Sequence, residues 1–185
     1  MRFRTLCLGL TALIVAACGS TPKQAPLDES GYWSVQGRVG LWAHGEQESA
    51  NFNWQDCNDR YRIRLSGPLG VGTTIIYGDA QQVSLHRGGD PEVTADSPEA
   101  LLASLGWVMP VSALRYWLRG LPDPDAPHQQ HPQEAGSATE LTQYGWTIQY
   151  QPSSERAERI TLESDNVRLK WMLRDWQANA QCNRP

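Results

Sequence analysis

Strict alternation of apolar and polar side chains is the feature that most constrains the fold of this chain. Between Trp33 and Leu41 the apolar side chains fall on odd positions, and polar residues or glycine fall on even positions. The same period recurs in five further segments, 48–55, 60–65, 146–150, 160–162 and 167–173. Because successive side chains of a strand point to opposite faces, this period predicts an antiparallel sheet with one buried face and one wet face.

A short hairpin continues this sheet at 74–77 and 82–85, around a Gly78-Asp79 turn. In the segment 60–65 three arginines share one parity, which is typical either of a phosphate-binding patch or of a solvated outer face. Because acidic side chains outnumber basic ones in the whole chain, the solvated outer face is favoured.

The hydrophobic period changes from strand-like to helical after residue 96. Ser97 is a suitable N-cap, Pro98 suits the first helical position and Glu99 complements the helix dipole. The predicted apolar stripe of this helix comprises Leu101, Leu102 and Leu105.

A second short helix is predicted from about Ser112 to Gly120, where glycine suits the C-terminal end and Pro122 lies beyond it. Its apolar face comprises Leu114, Trp117 and Leu118. Residues 122–137 hold four prolines and few apolar side chains, so we expect a mobile excursion outside the core. The order of elements predicts an α+β fold, a curved antiparallel sheet with short helices over one face.

The N-terminal segment is typical of a bacterial secretory signal. Arg2 and Arg4 precede an apolar run at 6–15, which is too short to span a bilayer. The run ends in Val15-Ala16-Ala17-Cys18, which resembles the lipobox in which the cysteine sulfur is acylated and becomes the new N-terminus. Gly19 stands where, by the same resemblance, an aspartate would retain a lipoprotein in the inner membrane. We therefore expect Cys18 to be the lipidation site and the outer membrane to be the destination.

The chain is expected to contain three segments, a signal peptide at 1–17, an acylated cysteine with a polar tether at 18–30, and one domain at 31–185. Without the signal, 14 basic side chains remain against 20 acidic ones. That balance argues against nucleic acid as a partner and against a polybasic membrane contact.

Two cysteines remain in the predicted domain, Cys57 and Cys182. In an oxidising compartment they form either a disulfide that holds the C-terminal tail or two unpaired thiols, and sequence alone leaves both open.

We find no sequence motif for catalysis, and we expect neither a metal nor a cofactor. There is no nucleophile elbow, phosphate loop or CxxC pair, and the carboxylates, Asp56 among them, cluster at predicted turns. His128 and His131 lie in the proline-rich segment without a helix to fix their spacing. The histidines are expected mostly in turns and loops.

The chain has eight tryptophans but two phenylalanines, and most of the tryptophans share the apolar parity of strands or the stripe of a helix. Rigid rings on one face of a covered sheet build either an ordinary core or a cavity. The segment 66–72 is a second unusual feature, because Leu69 and Val71 stand among turn residues. Such a loop leucine usually folds back onto its own domain.

Several motifs follow one another from about residue 32 to residue 176. They are Gly37-Arg38-Val39-Gly40, Phe52-Asn53-Trp54, Arg62-Ile63-Arg64-Leu65, Gly67-Pro68-Leu69-Gly70 and Leu114-Arg115-Tyr116-Trp117-Leu118-Arg119-Gly120-Leu121-Pro122. In this order and spacing, and together with the lipobox, these motifs resemble the LolB family of outer-membrane lipoprotein receptors.

The resemblance implies an unclosed antiparallel barrel with a helical lid over an apolar cavity for acyl chains. It implies three partners, the periplasmic carrier LolA, acylated lipoprotein cargo and the phospholipid of the outer membrane, and a monomeric receptor on the periplasmic face. It further implies that the loop Pro68, Leu69 and Gly70 protrudes and enters the membrane. The cysteines at 57 and 182 are a departure from the family pattern.

Side-chain parity then predicts which residues line the acyl cavity. They are Val39, Leu41, Phe52, Trp54, Ile63, Leu65, Leu102, Leu105, Trp117, Leu118, Trp146, Ile148 and Trp171. Two alternatives to a lipid carrier stay open at this point, a structural lipoprotein of an envelope assembly complex and a surface-tethered hydrolase.

Overall fold

The computed structural model describes residues 32–131, 139–151 and 158–178. One antiparallel sheet of eleven strands dominates this part of the chain, in the spatial order β6-β5-β4-β3-β2-β1-β11-β10-β9-β8-β7. The strands are β1 Tyr32–Ala43, β2 Glu46–Cys57, β3 Tyr61–Ser66, β4 Thr74–Gly78, β5 Val83–Arg87, β6 Val93–Ala95, β7 His128–His131, β8 Thr139–Gln143, β9 Trp146–Gln151, β10 Arg159–Ser164 and β11 Val167–Ala178. All neighbours except β1 and β11 are consecutive in sequence, so the sheet is two meanders joined along β1 and β11.

The sheet is an unclosed barrel, as the resemblance implied. Within the described residues its edge strands, β6 and β7, each pair with one neighbour and not with each other. The long strand β1 pairs with β2 over its whole length, from Tyr32 opposite Cys57 to Ala43 opposite Glu46. It also pairs with β11, with a β-bulge between Ser34 and Gln36.

Side-chain parity is confirmed on the clearest strand of the sequence. Ile63 of β3 is buried in the main core, whereas Arg64 beside it is exposed. We call the face that carries Ile63 the inner face and the face that carries Arg64 the outer face. On β1 the inner face carries Val35, and the outer face carries Arg38.

Two short helices lie between β6 and β7, α1 at Pro98–Ser104 and α2 at Val111–Trp117. Ser97 caps α1 as predicted, because its Oγ accepts a hydrogen bond of 3.0 Å from the Ala100 N–H. Gly120, with φ of 78°, ends the turn after α2 in the left-handed region that glycine adopts without strain. The helix α2 packs Leu114 and Trp117 into the inner-face core.

The expectation for residues 122–137 is right that residues 128–131 lie outside the core, since all four are exposed, but it misses a strand and a buried residue. Strand β7 pairs with β8 from His128 opposite Gln143 to His131 opposite Glu140, and Asp123 is buried. Strand pairing is formed by backbone hydrogen bonds, so a segment without apolar side chains can still form a strand. Residues 132–138 lie outside the described part of the chain.

The histidines are also placed differently from the expectation, because three of the four lie in strands, at positions 86, 128 and 131. His128 and His131 are three residues apart on one strand, so their side chains point to opposite faces and cannot share a metal ion.

Candidate functional site

The inner face is built from most of the residues that parity predicted. Eight of the thirteen predicted lining residues are buried in one core cluster, Phe52, Trp54, Ile63, Trp117, Leu118, Trp146, Ile148 and Trp171. Val39, Leu41 and Leu65 are half-buried and pack against the same cluster. The structure therefore brings eleven of the predicted residues together.

The two remaining leucines of the predicted lining, at α1, lie outside this cluster. Leu105 is the C-cap residue of α1 and is 45% exposed, and Leu102 is half-buried without belonging to the main cluster. The helix ends at Ser104, one residue before the last leucine of its predicted stripe, so Leu105 leaves the buried face. Leu101 instead is buried, and it packs with Val83 and Leu85 in a small separate cluster.

A cavity of about 560 Å³ lies between the helices and the β8–β9 turn. The helices contribute Ala103 and Ala113, the linker between them contributes the apolar run 107–110, and Trp146 contributes from the inner face. Val108 of the linker is 90% exposed, and the Trp107 ring lies 5.6 Å from the ring of His44 at the β1–β2 turn. The cavity is therefore largely apolar, and the linker that covers it reaches the end of the sheet that carries this turn.

Sequence reasoning missed the linker at residues 107–110, although a signal was present. Trp107, Val108 and Met109 form an apolar run between two predicted helices, where turn residues are the usual choice.

A buried amide fixes the C-terminal end of α2 to the sheet. Gln143 of β8 is 2% exposed, and its Oε1 accepts from Trp117 Nε1 at 2.8 Å and from the Asp123 N–H at 2.9 Å. Its Nε2 donates to the Asp123 and Ala126 carbonyls at 2.8 and 2.9 Å. All four hydrogen bonds of the amide are satisfied, so this network holds α2 and the following loop in one position.

A buried ion pair holds α2 from its other side. Arg115 Nη2 donates to Asp56 Oδ1 at 2.7 Å, and a second bond of 3.1 Å reaches the Asn58 carbonyl. Asp56 is fully buried at the end of β2, and burial raises the pKa of its carboxyl while the Arg115 charge opposes that rise. Asp56 also accepts a hydrogen bond from the Asn58 N–H, as expected of a carboxylate at a turn. Turn chemistry does not account for its ion pair with Arg115.

Helix α1 is held more lightly than α2. Its link to α2 is Glu99, whose carboxylate accepts from the Ser112 N–H at 2.7 Å and from the Ser112 hydroxyl at 3.1 Å. Its link to the sheet is the small cluster around Leu101. Of the two helices, α1 is thus the one that can leave the sheet without disturbing a buried polar network.

Several buried donors of the inner face have no protein partner within the described residues. They are the indole N–H groups of Trp33, Trp54 and Trp171 and the hydroxyls of Tyr61 and Tyr150. Burial raises the pKa of both tyrosines, which keeps their hydroxyls protonated. An indole N–H can only donate, so the inner face offers donors to a guest that carries acceptors.

Leu69 is fully exposed at the tip of a rigid turn between β3 and β4. The turn is closed by bonds from the Gly67 N–H to the Val71 carbonyl, 2.9 Å, and from the Gly70 N–H to the Gly67 carbonyl, 3.1 Å. Leu69 itself has φ of 61° and ψ of 17°, a left-handed conformation that is uncommon for a bulky side chain. The leucine does not fold back onto its domain, since Leu69 is 100% and Val71 73% exposed.

The cysteines and the N-terminus are described only in part. Cys57 is buried and disulfide-bonded. Cys182 lies outside the described residues, so its pairing with Cys57 stays a prediction. Cys18 and the predicted signal peptide also lie outside them, so lipidation and cleavage stay predictions. None of the described helices has the length and apolarity needed to cross a membrane.

Comparison with solved structures supports the fold. A LolA superfamily protein from Nitrosomonas europaea superimposes with a TM-score of 0.52 at 9% identity, covering 84% of this chain and 90% of its own. A DUF1329 family protein from Desulfovibrio piger gives 0.53 at 6% identity, covering 85% and 89%.

Comparison of sequences identifies the family. The family model described as outer membrane lipoprotein LolB matches residues 31–176. The outer-membrane lipoprotein LolB of Chromohalobacter salexigens is 40% identical over 78% of this chain and 70% of its own length. That of Cellvibrio japonicus is 36% identical over 95% of this chain and 98% of its own. The chain therefore belongs to the LolB family of outer membrane lipoproteins.

Proposed function

We propose that this protein is an outer-membrane receptor that accepts acylated lipoproteins from a periplasmic carrier of the LolA type, shelters their acyl chains and inserts them into the membrane. The observation that carries the proposal is the largely apolar cavity of about 560 Å³ beneath the α1–α2 linker. Its volume lies in the range of about 300 to 1,000 Å³ that is usual for small-ligand sites. Trp146 belongs both to the cavity and to the buried inner face, so the two are adjacent.

The inner face is closed in this conformation, and acyl chains need more room than the cavity alone provides. Helix α1 and the linker supply that room when they move away from the sheet, because α1 is attached by Leu101 and by the Glu99–Ser112 bonds. Helix α2 stays in place, since Gln143 and the Asp56–Arg115 pair fix both of its sides. The apolar residues of the inner face then contact the acyl chains.

The buried donors of the inner face fit the polar part of the same cargo. The ester carbonyls that join acyl chains to a glyceryl group accept hydrogen bonds and donate none. Trp33 and Trp54, whose indole N–H groups lack partners in the described structure, can donate to them. This pairing would compensate for the cost of leaving buried donors unsatisfied.

In this proposal Leu69 delivers the lipoprotein cargo to the bilayer, and the acylated Cys18 attaches the protein to the membrane. One leucine side chain gains roughly 1.5 to 3 kcal/mol on leaving water, which is too little to anchor a protein but enough to orient it at a bilayer. Several acyl chains on Cys18, at about 0.8 kcal/mol per buried methylene, give an effectively permanent attachment. Binding and location are therefore carried by separate parts of the chain.

A structural lipoprotein of an envelope complex is the alternative function, which the LolB family match does not favour. The observation in its favour is that eight of the predicted lining residues are packed together and buried. A protein of that kind has no need for acyl binding, so a binding experiment separates the two functions.

The experiment is a titration with a fluorescent fatty-acid probe on the Cys18→Ala chain, which carries no acyl groups of its own. Ala103→Trp fills the cavity from the exposed side of α1, and Ala100→Trp places the same bulk on α1 outside the residues that line it. We expect saturable binding that Ala103→Trp weakens and Ala100→Trp leaves unchanged. Absence of saturable binding by the folded protein would favour the structural role.

A further inference from the structure

The outer face of three central strands carries a concentration of positive charge that the total charge conceals. Strands β1, β11 and β10 place five cationic side chains on this face, Arg38, Arg159, Arg168, Lys170 and Arg174. Acidic side chains near them in the described structure include Glu163, which pairs with Arg168, Asp175, which accepts from Gln36, and Glu158, which precedes Arg159 in the chain. The excess of acidic over basic side chains in the whole sequence arises elsewhere in the molecule, so it does not describe this face.

The strand register places these side chains in rows. Arg38 of β1 and Arg159 of β10 both lie opposite Met172 of β11, and Lys170 forms the next row between Gly40 and Thr161. Neighbouring strands are about 4.8 Å apart and rows on one face are about 7 Å apart, so the cationic groups lie within reach of a single anionic surface.

An aromatic ring lies among these charges. A Cβ atom added to Gly40 would lie 2.8 Å from the Trp42 ring, so the indole rests across the strand at the glycine. Lys170 Nζ lies 5.4 Å from the centre of the same ring. The groove around them has a volume of about 430 Å³, and Met172 at its centre is 48% exposed.

Arg38 and Lys170 keep their charges free for an external partner. Among the described residues Arg38 donates to the neutral Ser49 hydroxyl at 2.9 Å, and neither Arg38 nor Lys170 forms an ion pair there. A tryptophan beside unpaired cations is typical of the interface between a bilayer and water.

The Leu69 loop adjoins this face. A small pocket of about 200 Å³ is lined by Arg38, Ser49 and Asn51 from the sheet and by Pro68 and Leu69 from the loop. A bilayer that receives Leu69 is therefore already next to Arg38.

We infer that the outer face of β1, β11 and β10, with Arg38, Lys170 and Trp42 at its centre, binds the anionic phosphate groups of a phospholipid bilayer and holds the sheet side-on to the membrane beside the inserted Leu69. The inference rests on the proposed function in taking the Leu69 loop as the point of delivery. It adds a membrane-binding site that the insertion loop alone does not provide.

The length of the N-terminal tether permits this orientation. Six residue steps separate Tyr32, where the described chain begins, from Arg38, which is about 20 Å along β1. Fourteen steps separate Cys18 from Tyr32 and span at most about 46 to 50 Å. The lipid anchor, Arg38 and Leu69 can therefore reach the same bilayer at the same time.

The test is sedimentation of the Cys18→Ala chain with vesicles of phosphatidylcholine alone and of phosphatidylcholine mixed equally with phosphatidylglycerol. Arg38→Gln/Lys170→Gln should lower the partition coefficient on the mixed vesicles by roughly fivefold for each residue, about 30-fold for the pair. The matched control is Arg60→Gln/Arg87→Gln, which removes the same charge from residues outside the face and should change partition less than about twofold. Equal losses in the two double variants, or no loss in the first, would overturn the inference.

Orientation is tested with an environment-sensitive label at Met172→Cys and, as a control, at Val93→Cys on the edge strand β6, which is 37% exposed. Mixed vesicles should shield the label at 172 from a water-soluble quencher and leave the label at 93 accessible. Equal quenching at both positions would contradict side-on binding. Reduced binding of the Arg38/Lys170 variant to an acidic carrier protein, with unchanged vesicle partition, would assign the face to a protein instead.

These outcomes are separable from those of the proposed function. If Arg38→Gln/Lys170→Gln loses vesicle partition and neither the Cys18→Ala chain nor its variants bind the acyl probe, the membrane-binding face is retained and the receptor function is rejected. If the acyl probe binds normally and the partition coefficient does not depend on Arg38 and Lys170, the receptor function is retained and the membrane-binding face is rejected.

Discussion

Replacing Arg115 with methionine removes the guanidinium that donates to the buried carboxylate of Asp56. The N–O distance is 2.7 Å, the Asp56 side chain is 1% exposed, and its second oxygen, Oδ2, has no partner in the described structure. Breaking a buried pair by removing one member usually costs about 3 to 5 kcal/mol, because the remaining charge stays buried. Arg115 is 27% exposed, so water weakens the pair and we expect a loss of about 3 kcal/mol in the free energy of unfolding.

The loss should depend on pH. Burial already raises the pKa of Asp56 above its ordinary value of 3.8, and the variant also loses the lowering effect of the Arg115 charge. A carboxyl whose pKa is raised on folding favours the folded state below its ordinary pKa, and this contribution is lost as the pH rises through the folded-state pKa. The difference between wild type and variant should therefore be small near about pH 4 and complete near about pH 8.

The assay is urea unfolding followed by tryptophan fluorescence at the two pH values. Arg119→Met is the matched control, because Arg119 acts on the Asp56 carboxyl only weakly through charge. The double variant Asp56→Asn/Arg115→Met should regain most of the lost stability, since no buried charge remains. A loss that is equal at both pH values, or a double variant less stable than Arg115→Met alone, would refute this account of the pair.

Two further substitutions, with Leu105→Ala as a control, test how the helices are held. Gln143→Leu should lower the unfolding free energy by about 3 kcal/mol or more in urea, because it leaves the Trp117 and Asp123 donors buried without acceptors; a loss below about 1 kcal/mol would show that water replaces the amide. Leu101→Ala should cost about 2 to 5 kcal/mol, since Leu101 is 2% exposed, whereas Leu105→Ala should change stability by less than about 0.5 kcal/mol. Thermal unfolding measures both, and equal effects would contradict the placement of α1.

The sheet was predictable because its evidence is local. Alternation in β1 and β3 fixes which side chains face inward, and the structure confirms that choice at Ile63. Ser97 likewise carries its own cap signal. Strand β7 was missed because a strand of polar residues at an exposed sheet edge shows no apolar alternation.

The parts of the site that escaped prediction depend on contacts between distant residues. Gln143 and Trp117 are 26 positions apart, and Asp56 and Arg115 are 59 apart, so no local pattern marks either interaction. Helical spacing predicts Leu105 in the cavity lining, but α1 ends at Ser104, so that spacing does not apply to Leu105. The total charge argues against a polybasic membrane contact, but it does not show how the strand register groups cationic side chains on one face.

Transfer of an acylated lipoprotein from its carrier complex to vesicles, followed separately as uptake and as insertion, tests the central claim most directly. Leu69→Glu should leave folding, tethering and uptake of cargo unchanged, because Leu69 is fully exposed and contributes no packing. Insertion should fall by roughly tenfold or more, as expected when about 1.5 to 3 kcal/mol of apolar transfer is lost. Val93→Glu, a change on the edge strand β6, serves as the control and should insert cargo normally. Normal insertion by Leu69→Glu, or a failure to take up cargo at all, would contradict the proposed division between the cavity and the insertion loop.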